Sequence, residues 1–172
     1  FGTVTENEGD VINSLLQLRY GELKVLLKSM SDKHQYGLRV LWSDINKVFQ
    51  EILEENPHIK KLRNKLLKIP AHLSRNQQIE VGQMVEAALM AKKESCRSGV
   101  MKPLSKIAYE VKESELYGNE MFVNANFLIE KSRQDEFDAK LNTLAESYGS
   151  DVLFKYIGPI PPYNFVEIVV NL

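Results

Sequence analysis

One cysteine, Cys96, in 172 residues leaves no disulfide framework to staple the chain. A chain of this length needs none, because it can bury roughly 70% of its unfolded surface. A lone thiol also fits a reducing compartment, with the cytosol as the default. Neither sign of charge dominates: 22 Lys and Arg stand against 23 Asp and Glu. That balance excludes a polyelectrolyte and a basic domain held on nucleic acid by counterion release. Long apolar runs are missing as well. The stretch Phe165 to Val170, interrupted by Glu167, falls far short of the ~20 residues a membrane-spanning helix requires.

Catalytic signals are equally scarce. His34, His58 and His72 are scattered, with no His-x-Glu, Glu-x-x-His or Cys-x-x-Cys spacing to fix a metal. No glycine-rich phosphate cradle occurs. Cys96 falls inside a predicted helix, without a strand-to-helix elbow or a local His to act as base. The chain opens at Phe1 with no Met and no charged-then-apolar leader pattern, so it reads as the downstream piece of something longer.

What is present is 44% apolar residues in readable periods. Phe1 to Thr5 alternates like the last strand of another domain. Ile12, Leu15, Leu16, Leu23, Leu26, Leu27 and Met30 then recur at helical steps to about Ser29. Residues 31 to 34 break that period, and Tyr36, Leu38, Val40 and Trp42 alternate as a strand with a well-buried face. A domain boundary near residue 32 follows, giving 1–31 as the end of an N-terminal α+β domain with a connecting helix, and 32–172 as a second domain.

Asp44 or Ser43 is placed to cap a helix with an apolar face at Ile45, Val48, Phe49, Ile52 and Leu53. Pro57 suits the first turn of the next helix, which Ile59, Leu62, Leu66 and Ile69 carry on to a stop at Pro70. Ser74 and Gln77 have capping-box spacing for a long helical stretch. Ser98-Gly99 and Pro103 are expected to kink or interrupt it before Leu104, Ile107, Ala108 and Val111 resume a helical face. Met121, Val123, Ala125, Phe127 and Ile129 alternate through a strand. Ser132 with Asp135 caps a helix carrying Phe137, Leu141, Leu144, Ala145 and Tyr148, and Gly149 is its stop. Val152, Phe154 and Tyr156 give a last strand.

Strand, helix, strand is a crossover unit, so the class is α+β, resembling a split βαβ or ferredoxin-like sheet with a large helical insertion. One strand is unaccounted for, with Asn164 to Val170 as its candidate.

Two features stand outside the core pattern. The run Ile59 to Lys68 is the one basic patch, but its apolar positions already explain an amphipathic core helix with a solvated face. Asn124 and Asn126 share a strand face opposite the apolar set, open to solvent or to a partner. More distinctive is Tyr156-Ile157-Gly158-Pro159-Ile160-Pro161-Pro162-Tyr163-Asn164-Phe165, which places three of the chain's six prolines within four residues. Proline fixes φ, so such a segment is stiff and loses little entropy on binding. It reads either as a rigid recognition edge displaying Tyr163 and Phe165, or as a turn whose aromatics cap the core.

The phrase Phe154 to Val166, an aromatic strand followed by Gly-Pro, Pro-Pro-Tyr and Phe-Val, closely resembles the C-terminal signature of the gas vesicle protein F/L family. Phe1-Gly-Thr-Val resembles the end of that family's N-terminal domain. Asn124 to Leu128, followed by Glu136-Phe137, resembles its penultimate strand and last helix.

The resemblance implies two α+β domains, the second ferredoxin-like, and a minor structural or accessory protein of gas vesicles. On that reading it has no catalysis, cofactor, nucleic acid, membrane or small-molecule substrate. It implies action with the hydrophobic shell protein in nucleation or assembly, in the cytoplasm, with some members on the gas-facing side of the wall. Tyr156, Gly158, Pro159, Pro161, Pro162, Tyr163 and Phe165 are the motif residues expected to make the contact. The alternative is a cytosolic scaffold or adaptor that joins several gas vesicle accessory proteins through helical surfaces near residues 44 to 69.

Overall fold

The computed structural model describes Gly9 and residues 11–70 and 75–168. The expected Phe1–Thr5 strand, the Ser74 cap, His72 and the far end of the tail lie outside these residues. A four-stranded antiparallel sheet organises the rest: β1 (Lys33–Trp42), β2 (Glu110–Glu113), β3 (Met121–Glu130) and β4 (Val152–Ile160), in the order β2-β3-β1-β4. β1 is central, pairing Leu38 with Ala125 of β3 on one side and with Tyr156 of β4 on the other. β3 and β4 therefore run parallel with β1 between them, joined by one crossover helix, as the strand-helix-strand pattern predicts.

Helices cover one face only. After a π-helical segment (Val11–Gln17) come α1 (Tyr20–Met30), α2 (Ile45–Glu55), α3 (Pro57–Leu66), α4 (Arg75–Ser105) and α5 (Gln134–Tyr148). Tyr36, Leu38, Val40 and Trp42 of β1 and Val123, Ala125, Phe127 and Ile129 of β3 point to this face. They meet Val48 and Ile52 of α2, Leu89, Val100 and Leu104 of α4, and Phe137 and Leu141 of α5. Phe137 is fully buried, its ring 5.3 Å from Phe127 and 5.4 Å from Tyr36. A side chain so buried stabilises the fold by about 1.5–3 kcal/mol.

Local signals explain most boundaries. Asp44 Oδ1 accepts from the amides of Asn46 at 2.8 Å and Lys47 at 3.4 Å, satisfying two free donors at the start of α2. Pro57 opens α3. Gly149 ends α5 at φ 59°, a conformation that favours glycine.

Several expectations are corrected. The apolar stripe of residues 12–30 is broken at Leu18–Arg19, and α1 buries none of its side chains. α3 ends at Leu66, short of Pro70. α4 runs without interruption through Ser98, Gly99 and Pro103, and Val111 belongs to β2, not to a resumed helix. That short strand is the one missing from the sequence reading, and residues 163–165 form a 3₁₀ turn instead of supplying it.

A bulge opposite Val40 and Leu41 breaks the strict alternation of β3 and brings Phe122 into the core, 5.1 Å from Trp42. Ser132 caps nothing; it sits in a 3₁₀ turn (Lys131–Arg133) that leads into α5.

Candidate functional site

β4 is an edge strand, and it carries the first half of the aromatic and proline-rich phrase. Tyr156 points to the helical face and stacks on Tyr36 with centroids 5.5 Å apart and planes within 1°. Its hydroxyl donates to Asp138 Oδ1 of α5 at 2.5 Å. Burial and then that carboxylate push the Tyr156 phenol above its ordinary range. Gly158 lies against the same ring: its φ is 153°, and a Cβ there would overlap Cδ1 of Tyr36. Only glycine lets the edge strand pass so close. Pro159, joined to it by a cis peptide bond, removes one donor from the open edge, a feature that protects edges from indiscriminate pairing.

Beyond β4, Pro161 and Pro162 lead into the 3₁₀ turn of Tyr163–Phe165, with Tyr163 N donating to Pro161 O and Phe165 N to Pro162 O. The turn is clamped across the open face of the sheet by a buried residue of β1. Gln35 Oε1 accepts from Asn164 N at 2.9 Å, while its Nε2 donates to Asn164 Oδ1 and Asn126 Oδ1, both at 3.2 Å. Lys112 Nζ of β2 donates to Asn164 O at 2.9 Å and stands 5.5 Å over the Phe165 ring.

The two aromatics expected to act together are thus separated. Phe165 is 8% exposed and Tyr163 is 61% exposed. Phe165 is buried beneath Lys112, and Tyr163 is the one on display.

The remaining candidates have ordinary surroundings. Cys96 is half-buried on α4, and burial pushes its thiol up, which lowers its thiolate fraction. His34 faces Gln134 Oε1 at 3.4 Å and His58 is exposed on α3. Among the described residues no His, Cys, Asp or Glu group has the makings of a metal site. Asn124 donates to Glu115 O at 2.7 Å, and Asn126 belongs to the Gln35 clamp. In the basic run, Ile59 is buried and the lysines are exposed, as an amphipathic helix requires. Sequence reasoning missed Gln35 and Lys112; Gln35 lies on the face of β1 opposite its apolar alternation, where a polar residue reads as solvated although it is buried here.

The gas vesicle synthesis protein GvpL/GvpF family model matches residues 1–167. Gas vesicle protein F of Microcystis aeruginosa is 25% identical over 169 residues, spanning 98% of this chain and 68% of that protein. Gas vesicle protein F of Haloferax mediterranei is 35% identical over 75 residues, 44% of this chain and 35% of that protein.

The crystal structure of gas vesicle protein GvpF from Anabaena sp. PCC7120 superposes with a TM-score of 0.85 at 25% identity, covering 98% of this chain and 68% of that one. GvpF from Microcystis aeruginosa superposes at 0.75, with the same identity and coverage. No described helix is long and apolar enough to cross a membrane. With a family match over nearly its whole length and the same mixed helix-and-sheet fold as these structures, the chain belongs to the gas vesicle synthesis protein GvpL/GvpF family.

Proposed function

We propose that this protein is an accessory component of gas vesicles that binds the hydrophobic shell protein during nucleation or assembly, through the outer side of β4 and the turn that follows it. The observation that carries the reading is the exposed pair Ile157 and Tyr163, 64% and 61% accessible, the first on a strand paired to β1 and the second in a turn clamped by Gln35 and Lys112. A wall subunit with one dry face is aggregation-prone before it is incorporated, and an ordered apolar edge covers such a face at small entropic cost. The unpaired ladder of β4 next to it adds backbone hydrogen-bonding capacity.

The strand order and the crossover helix support a ferredoxin-like reading of residues 32–172, with α2 to α4 as the insertion. α1 buries nothing against that sheet, which supports its assignment to a separate N-terminal unit.

The test is capture of the purified shell protein. A Tyr163→Ala, Ile157→Ala variant keeps Phe165 in its buried place, so it leaves the clamp intact. It should retain the native melting temperature and bind the shell protein about tenfold more weakly. Undiminished capture assigns the turn a structural role.

An adaptor reading, in which the helices join other accessory proteins, rests on Leu67 and Ile69 just past the end of α3, which are 73% and 39% exposed. Capture of those proteins, lost in Leu67→Ser, would favour it.

A further inference from the structure

The face of the sheet that carries no helices holds a groove of about 350 Å³, lined by strands and by the Ser114–Tyr117 loop. At its centre Arg39 of β1 stands directly opposite Lys155 of β4, and both are exposed. Like charges facing each other across an antiparallel pair are unfavourable, and neither side chain has a carboxylate partner within salt-bridge distance among the described residues. Gly37 forms part of the same lining, two residues from Arg39 and midway along β1. Glycine weakens a strand interior, yet nothing in the fold demands it there. A Cβ at Gly37 would meet only Asn126 Oδ1, at an ordinary 3.5 Å. The residue keeps space open above the sheet.

We propose that this groove binds an extended acidic peptide segment of a partner protein, with a carboxylate held between Arg39 and Lys155. The polar lining fits a peptide backbone. Asn126 accepts from Gln35 through Oδ1, leaving its amide hydrogens to donate; Asn124 donates to Glu115 O, leaving its oxygen to accept. The two are separated by one residue on one strand, and that spacing of about 6.8 Å is the repeat of residues on one side of an extended chain. Ile157, exposed at the rim, supplies apolar contact for alternate side chains. A bare phosphate would make no use of this length, and no helix N-terminus lies among the lining residues to hold one. The site adjoins the Tyr163 edge and shares Ile157 with it, but its charged centre is Arg39 and Lys155, and its ligand is acidic where the shell protein's contact is apolar.

The experiment measures fluorescence anisotropy of a labelled short peptide alternating glutamate and isoleucine, with a glutamine-for-glutamate peptide as control. The acidic peptide should bind the full chain, and rising salt should weaken it. Arg39→Gln with Lys155→Gln should weaken it about tenfold while leaving the melting temperature equal or higher, because the mutual repulsion is removed. Gly37→Leu, which fills the groove without altering charge, should weaken it as well. Lys60→Gln with Lys61→Gln on α3 should leave it unchanged. Equal loss in the α3 variant, or equal binding of the glutamine peptide, overturns the proposal. Displacement by inorganic phosphate as effective as by unlabelled peptide makes this a small-anion site and overturns the peptide assignment.

Discussion

The rings of Tyr36 and Tyr156 lie parallel under α5, but only Tyr156 has a partner for its hydroxyl. The Tyr36 oxygen is buried with none, and a lost hydration shell without a replacement bond costs about 1–3 kcal/mol. Tyr36→Phe should therefore be neutral or stabilising by about 1 kcal/mol in urea unfolding at neutral pH.

Alkaline pH should read the same pair. Burial first, then Asp138 and Asp135, push the Tyr36 phenol up to about 12; burial and the Asp138 bond raise Tyr156 as well. The unfolded phenols titrate near 10, so above that pH the unfolded chain has released protons that the folded chain keeps. The stability these groups contribute is complete below about pH 10 and is lost as pH rises toward their folded values. The loss should approach about 1.4 kcal/mol per pH unit for each tyrosine. Urea midpoints followed from about pH 9 to about pH 12 should fall more steeply in the natural protein than in Tyr36→Phe. Parallel curves would show that the Tyr36 phenol ionises in the folded state as readily as in the unfolded one.

Among the elements, the turn after β4 depends most visibly on a single contact set. Gln35 holds Asn164 over the sheet with two hydrogen bonds and ties itself to Asn126 of β3 with a third, and no apolar side chain of similar size reproduces them. In Gln35→Leu the Asn164 amide should lose most of its protection against hydrogen exchange. The central amides of β1 and β3 should keep theirs, because the helical-face core is untouched. Retained protection at Asn164 would show that Lys112 and the prolines suffice to hold the turn.

This dependence on a distant residue also explains what the sequence left unread. Val152, Phe154 and Tyr156 alternate visibly, but the continuation of β4 through Gly158 and Pro159 follows from the Tyr36 ring beneath it. β2 has only Val111 half-buried in its four residues, so it offers no period of its own; its shape comes from pairing with Asn126, Phe127 and Leu128 of β3. Gly99 signals a break, yet it sits within the continuous α4, where a Cβ would crowd the hydroxyl of Tyr148 on α5. Composition and period fix β1, β3, α2 and α5, because each carries a long periodic apolar face, which in β3 is interrupted only at the bulge near Phe122. Phe165 and Tyr163 look alike in sequence and differ only in what the clamp covers.

At the scale of the whole molecule the apolar surface is unevenly distributed. The sheet, α2, α4 and α5 share one continuous core, while α1 leaves Val25 and Leu27 70% and 74% exposed, and Leu18 just before it 80% exposed. A helix of 11 residues is too short to be stable in water by itself, so α1 is held by little besides its junction with β1. At that junction Lys33 Nζ donates to Ser29 O at 2.8 Å and Lys131 Nζ to Ser31 O at 2.7 Å. The exposed Lys131 bond contributes about 1 kcal/mol or less, and the half-buried Lys33 bond, made by a charged donor, about 1.5–3 kcal/mol. Removing residues 1–31 should therefore lower the thermal midpoint of the remaining sheet domain modestly, not by tens of degrees.

The same removal should also abolish much of the binding of an apolar dye to the longer chain, because the uncovered Val25, Leu27 and Leu18 go with it. A fall of the midpoint by tens of degrees, or loss of cooperative melting, would mean that the first 31 residues belong to the domain's core. The boundary near residue 32 would then have to be withdrawn. If the shortened chain melts as expected and still captures the shell protein, the contact belongs to the sheet domain, where Tyr163 and Ile157 are displayed. Loss of capture without loss of stability would instead move the contact to the uncovered face of α1.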